Sequence, residues 1–269
     1  LDRFLPDGPL SRVQHNSLPY SGAFDGRVAD ALAAEGVDYP ELVKPFQERI
    51  GTLMYACTST RCDIAFPVHR LCQCLAKPTP DLMLEVDHLL SYLARTKSLG
   101  LTYEAKAIDL SALADASWLV TNSTSGWLVS WQGAAISWGS KKQKCTALSS
   151  CEAEVIALSE AVKDVVYHRK LVGGLVGELT EPTSLGTDNQ GARNIAYNPQ
   201  AHDKTKHVAR RHFFVRDMVE SFEISVPFVS TVDNWADFFT KPLKAKQFFA
   251  MRRAIMNEPS RDAAGSRST

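Results

Sequence analysis

The chain has 269 residues, of which 45% are hydrophobic and 22% charged, with a formal net charge of zero. That balance excludes a largely disordered chain and a uniformly basic nucleic-acid-binding protein, so any basic surface has to be local. No apolar run approaches the roughly 20 residues of a membrane helix, and no membrane role is expected. The six cysteines, Cys57, Cys62, Cys72, Cys74, Cys145 and Cys151, contain no CxxC pair. Cys72 and Cys74 do not converge on a helix, so buried thiols in a reduced intracellular compartment, cytoplasmic or nuclear, are expected rather than a zinc site.

Residues 1 to about 38 are rich in Pro, Gly and Ser without a sustained period and are expected to form an irregular lead-in. From 39 to 107 a helical unit is expected, carried by ELVKPFQERIGTLMYACTS, DIAFPVHRLCQCLA and PDLMLEVDHLLSYLART. The third pattern has Thr79 as cap, Pro80 at its first position and Leu82, Val86, Leu89, Leu90 and Leu93 as its stripe. Asp63 and Asp87 fall on polar sides of these patterns and are expected to be solvated. After Gly100 the texture changes to short alternating runs: LSALADASWLV, SGWLVSWQG and AAISWGSKKQ. Gly126, Gly133 and the polar cluster at 121–125 are turn signals, so three antiparallel strands are expected. A helix from Ser150 to about Leu175 follows, ended by Gly173, Gly174 and Gly177. Then come the strand TSLGTD, the helix QGARNIAYN, a helix from about Lys204 to Phe222, the strand EISVPFVS and a last helix from about Asn234. The order βββαβααβα over 108–246 predicts an α/β domain with a five-stranded mixed sheet flanked by helices. Residues 247–269 are expected to finish the last helix and run into a disordered polar tail.

The stretch ALSSCEAEVIALSEA, residues 147–161, places Glu152 and Glu154 two positions apart, and helix residues so spaced do not face each other. At about 100° per residue, Val155, Leu158, Ala161, Val162, Val165 and Val172 form one apolar stripe, with Glu154 inside its edge and Glu152 opposite. Ser149 stands three residues before Glu152, the spacing of a capping box, which gives Glu152 a structural task. An ionised carboxylate aimed at a core is costly unless it is paired or binds a metal, so Glu154 requires partners. Asp115 is the single charge in LSALADASWLV and sits mid-strand, where Asp is disfavoured. Asp188 closes TSLGTD, at the strand end where α/β sheets bind ligands, although next to Asn189 it also reads as a helix cap. Asp237 in DNWADFFTKPL reads as a ligand or as an acid that favours a helix dipole. Four such acids converging would bind a hard cation such as Mg²⁺ and hydrolyse a phosphodiester without a covalent nucleophile.

The stretch HDKTKHVARRHFFVRD, 202–217, has five Lys/Arg against two Asp, with interleaved aromatics. Lys204, Lys206, Arg210 and Arg211 are candidate phosphate contacts; the alternative is a solvated face of a helix whose Phe214, Met218 and Phe222 are core-like. His207 is a candidate for positioning substrate or releasing product, against a structural role at the edge of an apolar face. Lys141, Lys142 and Lys144 would add backbone contacts, while Trp118, Trp127, Trp131 and Trp138 read as sheet packing.

The phrases DASW, STSGWLVSWQGAAISWGSKKQ, ALSSCEAEVIALSEA, TDNQGARNIAYNP, TKHVARRHFFVRD and WADFFTKPL resemble the ribonuclease H region of copia-type LTR retrotransposon Pol polyproteins. Upstream, the helical segment 39–107 resembles the stretch joining the reverse-transcriptase core to that region. The resemblance implies a ribonuclease H-like fold, with Asp115, Glu154, Asp188 and Asp237 at the positions of the family's metal-binding acids. It implies two Mg²⁺ or Mn²⁺ ions, hydrolysis of the RNA strand of RNA·DNA hybrids, and the hybrid and the reverse-transcriptase core of the same polyprotein as partners. Two positions depart from the pattern: Ser117 replaces a second Asp, and Ala209 replaces an acid. The paired-Asp motif of the polymerase palm is absent from this sequence, so no polymerase activity is expected of the chain alone. The alternative reading is an inactive relic or domesticated nucleic-acid-binding module.

Overall fold

The computed structural model describes residues 1–34, 38–105, 109–118, 123–198 and 206–258, with the backbone alone at 206–210 and 212. They divide into two compact units, Leu1–Leu101 with Pro242–Arg252, and Thr102–Lys241 with Arg253–Thr269. The expected polar tail beyond Glu258 lies outside the described residues.

The first unit contains α1 (Phe24–Ala33), α2 (Pro40–Ser59), α3 (Ala65–Cys72) and α4 (Pro80–Arg95). The helix α1 lies inside the stretch expected to be irregular: Phe24 and Val28, one turn apart, bury its inner edge. Two apolar anchors in an Ala- and Asp-rich run are too few to register as a period. Thr79 caps α4 as expected, its Oγ1 accepting the Leu82 N–H at 3.3 Å. Asp63 is a correction, because it is 1% exposed rather than solvated. It accepts two hydrogen bonds from Arg61 at 2.8 Å each and one from the Tyr92 hydroxyl at 2.6 Å. Buried charge is tolerated when it is paired and hydrogen-bonded, and both conditions are met here. Asp87 is half-buried beside Arg49, whose Nε lies 3.4 Å away.

The second unit holds β1 (Ser111–Ser117), β2 (Thr124–Trp131), β3 (Ala134–Lys142), β4 (Thr183–Gly186) and β5 (Ile224–Ser225) in one five-stranded sheet of order β3-β2-β1-β4-β5. The first three strands form an antiparallel meander, while β4 runs parallel to β1 and β5 parallel to β4. The expected mixed sheet is therefore present. Three helices accompany it: α5 (Ser150–Val176), α6 (Gln190–Tyr197) and α7 (Lys206–Glu220). Ala112, Ala114, Val129, Leu185 and Ile224 from the sheet pack with Val155, Leu158, Val162 and Val165 of α5 and Val215 of α7 in one core.

The helix α5 ends one residue past the expected Leu175 and is closed by Gly177, the one of the three glycines with a positive φ, 99°. Two boundaries differ from expectation. The strand β5 is short because Pro227 has no N–H to donate; pairing resumes only as a single bridge between Thr187 and Phe228. The last helix is split into a 3-10 turn, Trp235–Phe239, and α8 (Ala245–Met256). Pro242 disfavours helical geometry in the residue before it, which forces the break. Among the described residues no helix is long and apolar enough to cross a membrane.

Candidate metal centre

The inner pair of the sheet sets the site. Asp115 lies on β1 opposite Gly126 of β2, and the parallel neighbour β4 delivers Asp188 just beyond its own end. Glu154 stands in the second turn of α5. One carboxylate oxygen each from Asp115, Glu154 and Asp188 lies within 4.8 Å of the others. Asp188 does not cap α6; that task falls to Asn189, whose Oδ1 accepts the Ala192 N–H at 2.9 Å.

The two glutamates of α5 have different surroundings. Ser149 Oγ accepts the Glu152 N–H at 3.1 Å, and Glu152 Oε2 accepts the Leu148 N–H at 2.8 Å. This is the expected reciprocal cap with one change, since Glu152 reaches the N–H before that of the cap residue. Glu154 is buried, and its Oε2 has no hydrogen-bond partner among the described residues.

Asp237, 2% exposed, comes from the 3-10 turn that lies against β2. A Cβ at Gly126 would fall 2.6 Å from Thr240 Cγ2 and 2.9 Å from the Ala236 oxygen, so only glycine leaves room for that turn beside Asp115. Residues not singled out by the sequence fix the acids. Thr240 donates its hydroxyl to Asp115 Oδ2 at 2.5 Å. Asn234 Nδ2 donates to the Ala114 carbonyl at 3.1 Å and to Asp188 Oδ1 at 3.2 Å, while its Oδ1 accepts the Ala236 N–H at 3.3 Å. Lys241 Nζ lies 2.6 Å from Asp237 Oδ1. The faint signal for Asn234 is its cap position three residues before an acid.

Burial, then the charge of Asp237, pushes the Asp115 carboxyl up to about 7. Burial, then the charges of Asp115 and Asp188, pushes Glu154 up to about 9. Burial lowers the Lys241 ammonium, but its contact with Asp237 and the charges of Asp115 and Asp188 outweigh that, and the net shift is upward. Carboxylates that resist ionising together, one with a buried oxygen left unmet, suit a hard divalent cation that takes oxygen ligands. The residues present fit such an ion.

The basic candidates are distributed differently. Lys204 lies outside the described residues, and Lys206, His207 and Arg210 belong to α7 by backbone alone. Arg211 donates to Cys145 Sγ at 3.2 Å and lines a cleft of about 280 Å³ with Lys141, Lys142, Lys144, Lys163 and Glu160. Glu160 pairs with Lys141 at 3.1 Å and Lys163 at 2.9 Å. Lys163 was not singled out by the sequence, because on α5 it reads as an ordinary surface lysine. Lys141 pairs with Ser125, which pairs with Ala116 beside Asp115, so the cleft and the acids share one end of the sheet. Trp127 packs as expected, its Nε1 donating to Asp164 at 2.8 Å, whereas Trp118 is 48% exposed.

A meander of three antiparallel strands extended by two parallel ones, with an acid on the first strand and another past the fourth, defines a ribonuclease H-like α/β domain. No protein-family model matches the chain. It is 34% identical over 228 residues to the retrovirus-related Pol polyprotein from transposon RE1 of Arabidopsis thaliana, covering 81% of this chain and 16% of that one. It is also 34% identical over 208 residues to the retrovirus-related Pol polyprotein from transposon TNT 1-94 of Nicotiana tabacum, covering 76% of this chain and 16% of the relative. The chain belongs to this family of copia-type retrotransposon Pol polyproteins and spans about a sixth of the length of these relatives. Among solved structures, the N-terminal RNase H domain of Rv2228c from Mycobacterium tuberculosis is similar at a TM-score of 0.39 and 13% identity, covering 55% of this chain and 98% of that one.

Proposed function

We propose that the second unit is a metal-dependent endonuclease that hydrolyses the RNA strand of RNA·DNA hybrids, acting within a retrotransposon Pol polyprotein. The observation that carries this reading is the convergence of buried Asp115 and Glu154 with partly buried Asp188 within 4.8 Å, with Glu154 Oε2 unpartnered among the described residues. These three acids and Asp237 would hold Mg²⁺ or Mn²⁺. Two such ions about 3.5–4 Å apart, when bound, would supply an activated water and charge stabilisation for the leaving oxygen.

The protein's own residues prepare that site. Thr240 and Asn234 hold Asp115 and Asp188 by hydrogen bonds, so the carboxylates are oriented before any ligand arrives. Asp115 and Glu154 hold protons that they release as a cation binds. Lys141, Lys142, Lys163 and Arg211, together with Lys204, Lys206 and Arg210, would contact the phosphate backbone of the substrate, read by shape and 2′-hydroxyl rather than by base sequence. His207 would position substrate or assist product release. The reverse-transcriptase core of the same polyprotein is the proposed partner.

A labelled RNA·DNA hybrid incubated with the chain, with and without Mg²⁺, tests the proposal. Cleavage confined to the RNA strand and dependent on metal is expected; no cleavage at any Mg²⁺ or Mn²⁺ concentration would overturn it. A second reading, a nucleic-acid-binding module without turnover, is favoured by the ammonium of Lys241 on Asp237 and by Ser117 and Ala209 at positions where the family carries acids. Hybrid binding without cleavage would select it.

A further inference from the structure

We infer that Lys241 is an internal counter-ion that a divalent cation displaces from Asp237 when the acidic site fills. This rests on the metal-binding reading above. The Nζ of Lys241 lies 2.6 Å from Asp237 Oδ1, a buried oxygen with no other partner among the described residues. Asp237 also stays outside the trio whose carboxylate oxygens fall within 4.8 Å. The fourth acid thus faces Asp115 on one side and is held by the protein's own cation on the other.

The two partners differ in freedom. The Lys241 side chain is 42% exposed and the Asp237 side chain 3%. A lysine stem can turn its ammonium to water by rotating side-chain bonds alone. Asp237 cannot retreat, because its turn is capped by Asn234 and pressed against Gly126. A divalent cation brings twice the charge and draws on several oxygens at once, and an ammonium beside it is repelled. Metal and Lys241 therefore compete for Asp237 Oδ1. The charges of Asp115 and Asp188, which also act on Lys241, are the charges such a cation would neutralise. Once displaced, the ammonium stands at the mouth of the site and is available to a phosphate oxygen, which couples metal occupancy to substrate binding.

The consequence has an unusual sign: removing a positive charge tightens binding of a positive ion. Mn²⁺ binding to the full chain, read by electron paramagnetic resonance without nucleic acid, compares the wild type with Lys241→Met, Lys241→Arg and Glu154→Gln. Lys241→Met is expected to bind Mn²⁺ about threefold tighter or more, in line with the strength of a half-exposed ion pair, and Lys241→Arg to bind as the wild type does. Lys241→Met should also show a larger Mn²⁺-induced rise in melting temperature than the wild type. If it does not fold, Lys241→Gln serves the same comparison. Equal or weaker Mn²⁺ binding in the neutral variants overturns the inference while leaving the metal site intact. Wild-type binding no stronger than that of Glu154→Gln overturns the metal site itself.

Discussion

Glu152 and Glu154 stand two positions apart on α5 and separate two tasks, one at the helix start and one at the acidic site. Glu152→Ala removes half of the reciprocal cap and is expected to lower stability by about 1 kcal/mol in denaturant melts, with hybrid cleavage nearly unchanged. Glu154→Gln keeps the shape of the protonated side chain and removes the carboxylate that a cation would call on, so stability without metal should hold while metal response and cleavage collapse. The reverse pattern would place the wrong glutamate in the site. The raised carboxyls of Asp115 and Glu154 also set a pH dependence. In the folded chain they keep protons that the unfolded chain has already released above about pH 4. Folding without metal is therefore favoured at low pH, and this advantage is lost as pH rises through about 7 and about 9. Bound Mg²⁺ competes with those protons, so its stabilising effect should grow with pH. Thermal melts at pH 5.5 and 8.5, with and without Mg²⁺, check both signs. A metal effect larger at pH 5.5 would contradict the assignment.

Among the elements, β3 depends on its partner strand for a residue choice that local preference opposes. Gly139 weakens a strand, yet a Cβ there would lie 2.2 Å from the Trp127 ring, which crosses over it and donates to Asp164 on α5. Ser137 reaches the same Asp164 oxygen at 2.5 Å, so the tryptophan and the serine tie the meander to α5. Gly139→Ala is expected to destabilise the second unit by about 1–3 kcal/mol through this overlap. Mn²⁺ affinity of the folded fraction should be unchanged, since Gly139 touches none of the acids. A melting temperature equal to the wild type's would show that the ring can move aside.

For the molecule as a whole, a net charge of zero conceals local segregation of charge. Four acids gather beside β1, and Lys141, Lys142, Lys144, Lys163 and Arg211 gather around a cleft at the same sheet end, about two strand spacings or ~10 Å across the sheet. Hybrid affinity should therefore depend on salt despite the neutral total. If the cleft meets roughly two phosphates, affinity falls about tenfold between 50 and 200 mM salt. Lys141→Glu combined with Arg211→Glu should flatten that slope without changing Mn²⁺ affinity. An unaltered slope would leave the cleft as a solvated face.

Periodicity and local chemistry determined much of this from sequence alone. A period of 3.6 buries Glu154 with Val155 and Leu158 and turns Glu152 away, whatever the helix packs against. The isolated charge of Asp115 within a period-2 run and the cap at Thr79 are likewise local, so they are legible without coordinates. Tertiary structure decided what depends on partners distant along the chain. Thr240 reaches Asp115 across 125 positions and Asn234 reaches Ala114 across 120, and nothing near either residue marks it for that contact. Asp63 reads as a surface acid because Tyr92, its buried partner, is 29 positions away. Lys241 reads as a residue before a proline until the turn brings it onto Asp237. Local rules fix which way a side chain points; the packing of separate elements fixes what it meets there, and the chemistry of this site lies in those meetings.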